Sequence, residues 1–135
     1  MAAILQTAGN DTCHVILRGG SRTGPNYQAN PIADVCAKLG AQGLPPRVMV
    51  DCSHGNSQRD YRKQKEVASE LGRQIAAGSR QVFGVMLESH LVEGRQEYEA
   101  GRPSTYGQSI TDSCISIDET EQILERLALA QQARG

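Results

Sequence analysis

Three short blocks hold the residues whose types could do chemistry: Leu17-Arg18-Gly19-Gly20, Val50-Asp51-Cys52-Ser53-His54-Gly55-Asn56-Ser57 and Leu87-Glu88-Ser89-His90. Each closes a run of apolar residues. A guanidinium such as Arg18 grips a phosphate or carboxylate through two parallel hydrogen bonds. A histidine and a glutamate are donors for a divalent metal ion. Taken singly, each has a plainer reading. An isolated histidine after a strand is usually a capped or solvated turn residue, and Arg18 and Glu88 could pair with each other or face water. Cys52 alternates onto the side of His54, which allows a Cys-x-His metal pair. Its first reading is nevertheless a small buried hydrophobe, and a cysteine inside a strand is poorly placed as a nucleophile. His90 reads as a loop residue or an outer partner of the site, and His14 as structural.

The elements that must position these blocks follow from periodicity. Cys13 to Leu17 is a short apolar run, and the spacing predicts a helix opened by Asn30 as cap and Pro31 at its first position. Ile32, Val35, Cys36 and Leu39 form one face of that helix, and Gly40 and Gly43 stop it. Arg47 to Cys52 reads as a second strand. A helix from Asp60 to Ala77 follows, striped by Tyr61, Val67, Ala68, Leu71 and Ile75 and ended by Gly78. Gln81 to Leu87 is a third strand, followed by a long polar loop. A last helix, Asp118 to Gln132, carries a capping box in Ser116 and Glu119 and an inner face of Ile123, Leu124, Leu127 and Ala130. Strands that alternate with helices and read as continuous apolar runs belong to a parallel α/β sheet. Ligands of such sheets bind at the carboxyl ends of the strands, so Arg18, His54 and Glu88 are expected to converge on one mouth. Gly19 and Gly20 would let the backbone approach a bound anion there.

Composition excludes other classes. The 135 residues carry a net charge of −1, which favours neither nucleic acid nor an anionic membrane surface. No apolar run approaches the roughly 20 residues of a membrane span, and the opening "MAAILQTAGND" lacks the basic and apolar segments of a secretory signal. The cysteines at 13, 36, 52 and 114 contain no CxxC pair, a pattern of reduced thiols in a cytoplasmic protein. Residues 1–135 read as one region, without repeat or linker.

In this order, "HVILRGG", "PNY", "VMVDCSHGNS", "GVMLESHLVEG" and "YGQSITDSCI" resemble the carboxyl-terminal part of the class I 3-deoxy-D-arabino-heptulosonate 7-phosphate synthases. The resemblance covers almost the whole chain. It implies a (β/α)8 TIM barrel that condenses phosphoenolpyruvate with erythrose 4-phosphate, the first step of the shikimate pathway and of aromatic amino acid biosynthesis. It implies a divalent metal (Mn, Fe, Co or Zn) held by His54, Glu88 and Asp112. It assigns phosphoenolpyruvate binding to Arg18, and catalytic roles to Arg18 and His54. The family's cysteine ligand has no counterpart here, nor has its lysine-proline-arginine-threonine block for erythrose phosphate, and neither Cys52 nor Cys114 matches that cysteine. A full barrel needs about 250 residues. The chain is therefore expected to be the carboxyl-terminal part of a larger, homo-oligomeric enzyme, supplying three parallel strands (the sixth to eighth by resemblance) with flanking helices and lacking the amino-terminal part. Two open sheet edges, one uncovered face and an inactive isolated chain go with that expectation. The related octulosonate phosphate synthases fit less well, because the "LRGGSRTGPNY" and "SITDSC" blocks argue against them. The rival of another class is a non-catalytic fragment that binds metal or a partner chain.

Overall fold

The computed structural model describes residues 3–10, 12–102 and 105–135. Its centre is a three-stranded parallel sheet in the order β1 (Ile16–Leu17), β2 (Val48–Asp51), β3 (Val82–Met86). Two helices connect these strands, α1 (Ala29–Ala41) and α2 (Gln64–Ala76). A single 3-10 turn, Tyr61–Lys63, leads into α2, and the Asp60 carboxylate caps it by accepting from the Arg62 amide. The last helix, α3 (Ile117–Ala133), packs along α2. Gly72 makes that approach close, since a methyl group there would already touch Ala130 and Leu127.

The core lies between one sheet face and the helices. Leu17, Val48, Val50, Cys52 and Val82 point into it from the strands, meeting Ile32 and Cys36 of α1, Val67, Ala68 and Leu71 of α2, and Ile123 of α3. Period-2 alternation leaves Ile16, Met49 and Phe83 on partly exposed positions. At the amino-terminal end of the strands, His14 meets the Phe83 ring edge-on at 5.0 Å, with the Arg47 guanidinium 5.6 Å from its centroid. His14 is structural in that packing.

Four expectations need correction. Asn30 does not cap α1: Gln28 holds that place without a side-chain hydrogen bond, and Pro31 sits in the first turn, where its missing N–H costs nothing. Leu124 is 53% exposed, so the inner face of α3 reduces to Ile123 with Leu127 and Ala130 at its margin. The capping box of α3 is half formed, because Ser116 Oγ accepts from the Glu119 amide while the Glu119 carboxylate faces Lys65. Finally, the segment read as a long loop contains short strands: β4 (Ser89–His90), β5 (Val92–Arg95), β6 (Gln108–Ser109) and β7 (Ile115–Ser116). They pair in parallel, β4 with β7 and β5 with β6. Among the described residues, no helix is long and apolar enough to cross a membrane.

Candidate metal and anion site

The site is built on the turn that follows β2. Asp51, its last residue, is 2% exposed. Asp51 Oδ1 accepts from the Ser53 amide at 2.8 Å, a turn closed by an Asp side chain on the backbone two residues ahead. Asp51 Oδ2 lies 2.8 Å from His54 Nδ1. His54 itself has φ +44°, a left-handed conformation that costs a non-glycine residue about 1–2 kcal/mol. The turn is held from beneath by Asn56, which is buried. Its Nδ2 donates to the Leu17 and Asp51 carbonyls at 3.0 and 2.8 Å, and its Oδ1 accepts from the Asn26 amide.

The neighbouring tip, Arg18-Gly19-Gly20, docks on this turn through backbone. The Asn56 amide donates to the Arg18 carbonyl at 3.0 Å, and Asn26 Oδ1 accepts from the Gly19 amide. A Cβ at Gly19, whose φ is +68°, would lie 2.7 Å from the Gly55 carbonyl carbon, so only glycine fits. Gly19 serves the close approach of two backbones, a Cβ at Gly20 would strike the Thr23 hydroxyl, and both glycines also line the larger cleft beside Arg18. Arg18 is exposed and forms no ion pair with any described residue, Glu88 included.

Glu88, just past β3, is fixed at both ends. Gln64 in the first turn of α2 pairs with its backbone: the Glu88 amide donates to Gln64 Oε1 at 2.9 Å and Gln64 Nε2 donates to the Glu88 carbonyl at 3.1 Å. Its carboxylate accepts from Ser53 Oγ at 2.9 Å and stands 3.3 Å from His54 Nε2. Asp112 arrives from the segment before β7. Ligand atoms of His54, Glu88 and Asp112 lie within 4.8 Å of one another. Donors around one ion at about 2.0–2.2 Å each need only a slight inward adjustment from that spread. A cleft of about 250 Å³ opens over them, lined by Arg18, Ser53, Arg59 and Ser113 as well. A larger one of about 440 Å³, shared by Arg18, His54 and Arg59, adjoins it.

The structure thus brings Arg18, His54, Glu88 and Asp112 to one mouth. Cys52 is fully buried in the core with its thiol pushed up to about 12, by burial first and by the Asp51 charge second. Burial likewise raises the Cys114 thiol, whose Sγ donates to the Asp112 carbonyl. His90 sits in β4, its Nδ1 on the Gly107 carbonyl. Sequence reasoning passed over Asp51, Asn56 and Gln64 as working residues. One signal was available: Gln64 is a polar residue on the stripe of Val67, Ala68 and Leu71, and it is fully buried.

A parallel α/β segment that gathers an imidazole, two carboxylates and a guanidinium at its strand tips has the chemistry to hold a cation beside an anion. Comparison with known proteins narrows that reading. Residues 1–125 match the model of the DAHP synthetase I family, and the chain belongs to that family. It is 53% identical over 133 residues to phospho-2-dehydro-3-deoxyheptonate aldolase of Haemophilus influenzae, covering 98% of this chain and 36% of the relative. It is 49% identical to the Phe-sensitive aldolase of Escherichia coli K12, covering 98% and 37%. The solved phospho-2-dehydro-3-deoxyheptonate aldolase of Francisella tularensis SCHU S4 superposes with a TM-score of 0.89 at 48% identity, over 98% of this chain and 38% of that one. The chain therefore spans somewhat more than a third of the length of these relatives.

Proposed function

We propose that this chain is the carboxyl-terminal section of a (β/α)8 barrel that condenses phosphoenolpyruvate with erythrose 4-phosphate and releases inorganic phosphate. The observation that carries the reading is the meeting of His54, Glu88 and Asp112 beside Arg18 at parallel strand tips, in a chain of this family. One imidazole nitrogen and two carboxylates suit Mn, Fe, Co or Zn, and their charge complements a dication. Such an ion, when bound, supplies Lewis-acid polarisation of the aldehyde oxygen.

The chain's own groups do the rest that is assigned. His54 presents Nε2 and Glu88 presents Oε1 to the same point. Arg18 grips the carboxylate or phosphate of phosphoenolpyruvate with its fork. With both partners over one cleft, the methylene carbon of phosphoenolpyruvate reaches the aldehyde carbon and the carbon–carbon bond forms. Water adds to the former enol carbon, and phosphate leaves with the cleaved oxygen. Orienting two reactants in this way is worth about 7–11 kcal/mol of barrier. Among the described residues no further strand pairs with the outer edges of β1 and β3, and this, with the partly exposed Ile16 and Phe83, supports closure of the sheet by further barrel strands. A cytoplasmic, homo-oligomeric whole enzyme belongs to the same reading.

The test is a chimera. This chain replaces the corresponding segment of the Haemophilus influenzae aldolase, and phosphate release and product are measured with both substrates. The expected result is turnover that disappears with His54→Ala. Changing Arg18→Lys should raise the apparent KM for phosphoenolpyruvate with metal content unchanged. A folded, assembled chimera with no product contradicts the reading.

A further inference from the structure

We infer that Asp51 is a positioning residue: its buried carboxylate fixes the tautomer of His54, and with it which imidazole nitrogen is offered to a divalent cation. The inference rests on the metal reading above and adds to it a residue that the metal itself does not touch.

The two oxygens of Asp51 have separate tasks. Oδ1 accepts from the Ser53 amide at 2.8 Å and Oδ2 faces His54 Nδ1 at 2.8 Å. An ionised carboxylate only accepts, so the nitrogen facing it carries the proton. A metal-bound imidazole is neutral and bound through its deprotonated nitrogen, so a proton held on Nδ1 leaves the lone pair of Nε2 for the ion. That nitrogen is the one 3.3 Å from Glu88 Oε1, on the side of the cleft. The same turn reaches the second donor. Ser53, whose amide is tied to Asp51 Oδ1, donates its hydroxyl to Glu88 Oε2 and so leaves Oε1 toward His54. One buried carboxylate therefore sets the direction of both donors.

Asparagine shows why a carboxylate is needed. It has nearly the same shape but only one accepting oxygen. If that oxygen serves the Ser53 amide, an NH2 group faces Nδ1. The proton then moves to Nε2, where it blocks ligation. If the oxygen serves Nδ1, the NH2 group meets the Ser53 N–H, and a buried donor is left opposed by another donor.

Two measurements test this with the full chain. Co²⁺ is titrated into the parent, His54→Ala and Asp51→Asn, reading affinity and the visible absorption band of the bound ion, with circular dichroism as the check on folding. Separately, imidazole ¹⁵N shifts are recorded on the Zn²⁺-loaded parent. We expect one Co²⁺ in the parent, loss of that binding in His54→Ala, and a 10–100-fold weaker affinity with an altered band in Asp51→Asn, the range found when outer partners of metal ligands are removed. The ¹⁵N shifts should put the proton on Nδ1 of His54 and the metal on Nε2. If the parent binds no Co²⁺, or His54→Ala binds like the parent, the metal reading falls and this inference with it. If His54→Ala abolishes binding but Asp51→Asn keeps the parent's affinity and band, the role of Asp51 alone is overturned. Should Asp51→Asn fail to fold, the ¹⁵N shifts decide, and metal on Nδ1 overturns the inference.

Discussion

The turn from Asp51 to Ser57 and the excursion from Leu91 to Ser113 both bring side chains to the proposed metal site, by opposite means. In the turn, Asp51, Cys52, Ser53, Asn56 and Ser57 are buried, and the polar side chains Asp51, Ser53, Asn56 and Ser57 all have partners. In the excursion, Leu91, Tyr98, Tyr106 and Ile110 are all more than half to almost fully exposed or at that margin, and Asp112 is exposed. Its order comes from hydrogen bonds, with the Gln96 side chain spanning Thr105 and Gln108. A segment with few buried apolar contacts opens locally at low free energy. Two groups of the proposed site, on His54 and Glu88, are thus held by buried partners, and the third, on Asp112, stands on an exposed segment.

The largest effect expected from this contrast is on stability in the turn. Asn56→Ala leaves two carbonyls and an amide without their partner, at a cost of about 2–4 kcal/mol. Urea denaturation reads it, and a loss below about 1 kcal/mol would mean that the turn is not braced as described. Gly19→Ala comes next. Its Cβ meets backbone at 2.7 Å and its φ is positive, so a cost of about 1–3 kcal/mol is expected. Unchanged stability would show that the two tips are not in register contact.

Asp112→Ala sharpens the other side of the comparison. It should leave unfolding within about 0.5 kcal/mol, as exposed substitutions do, while metal affinity falls by at least about tenfold. Calorimetric titration with Mn²⁺ beside thermal unfolding separates the two, and a large stability loss would contradict an exposed third group on which the core does not depend. The smallest effect concerns thiols. Exposed Cys13 should be alkylated at pH 8 while buried Cys36, Cys52 and Cys114 are spared, as mass spectrometry can show. For Cys52 the folded pKa of about 12 lies above the ordinary 9.0. The folded state holds that proton more tightly, so this contribution is complete below about pH 9 and is lost as pH rises toward 12. Cys52→Ala should flatten that part of the pH–stability curve.

The strand–helix alternation and the convergence of Arg18, His54 and Glu88 were legible because burial imposes periods of 2 and 3.6 on the chain. What escaped depends on distant partners. Asn56 answers Leu17 and Asn26, and Gln64 answers Glu88, so nothing local to either residue announces its task. The strands β4 and β7 have two residues each and pair 26 positions apart, Ser89 with Ile115 and His90 with Ser116, too short for any period to show. Asp112 entered through the family resemblance, since its exposed turn has no pattern of its own. Asn30-Pro31 misled by two positions, since Gln28 is the cap, because an Asn–Pro pair also fits inside a first helical turn.

His54, Glu88 and Asp112 are proposed to hold one divalent ion together. Crystals of the chain grown with Mn²⁺ and measured for anomalous scattering locate such an ion. A single peak is expected about 2.0–2.3 Å from His54 Nε2 and from one carboxylate oxygen each of Glu88 and Asp112. A peak on other residues, or ordered donors with no peak at saturating Mn²⁺, contradicts it.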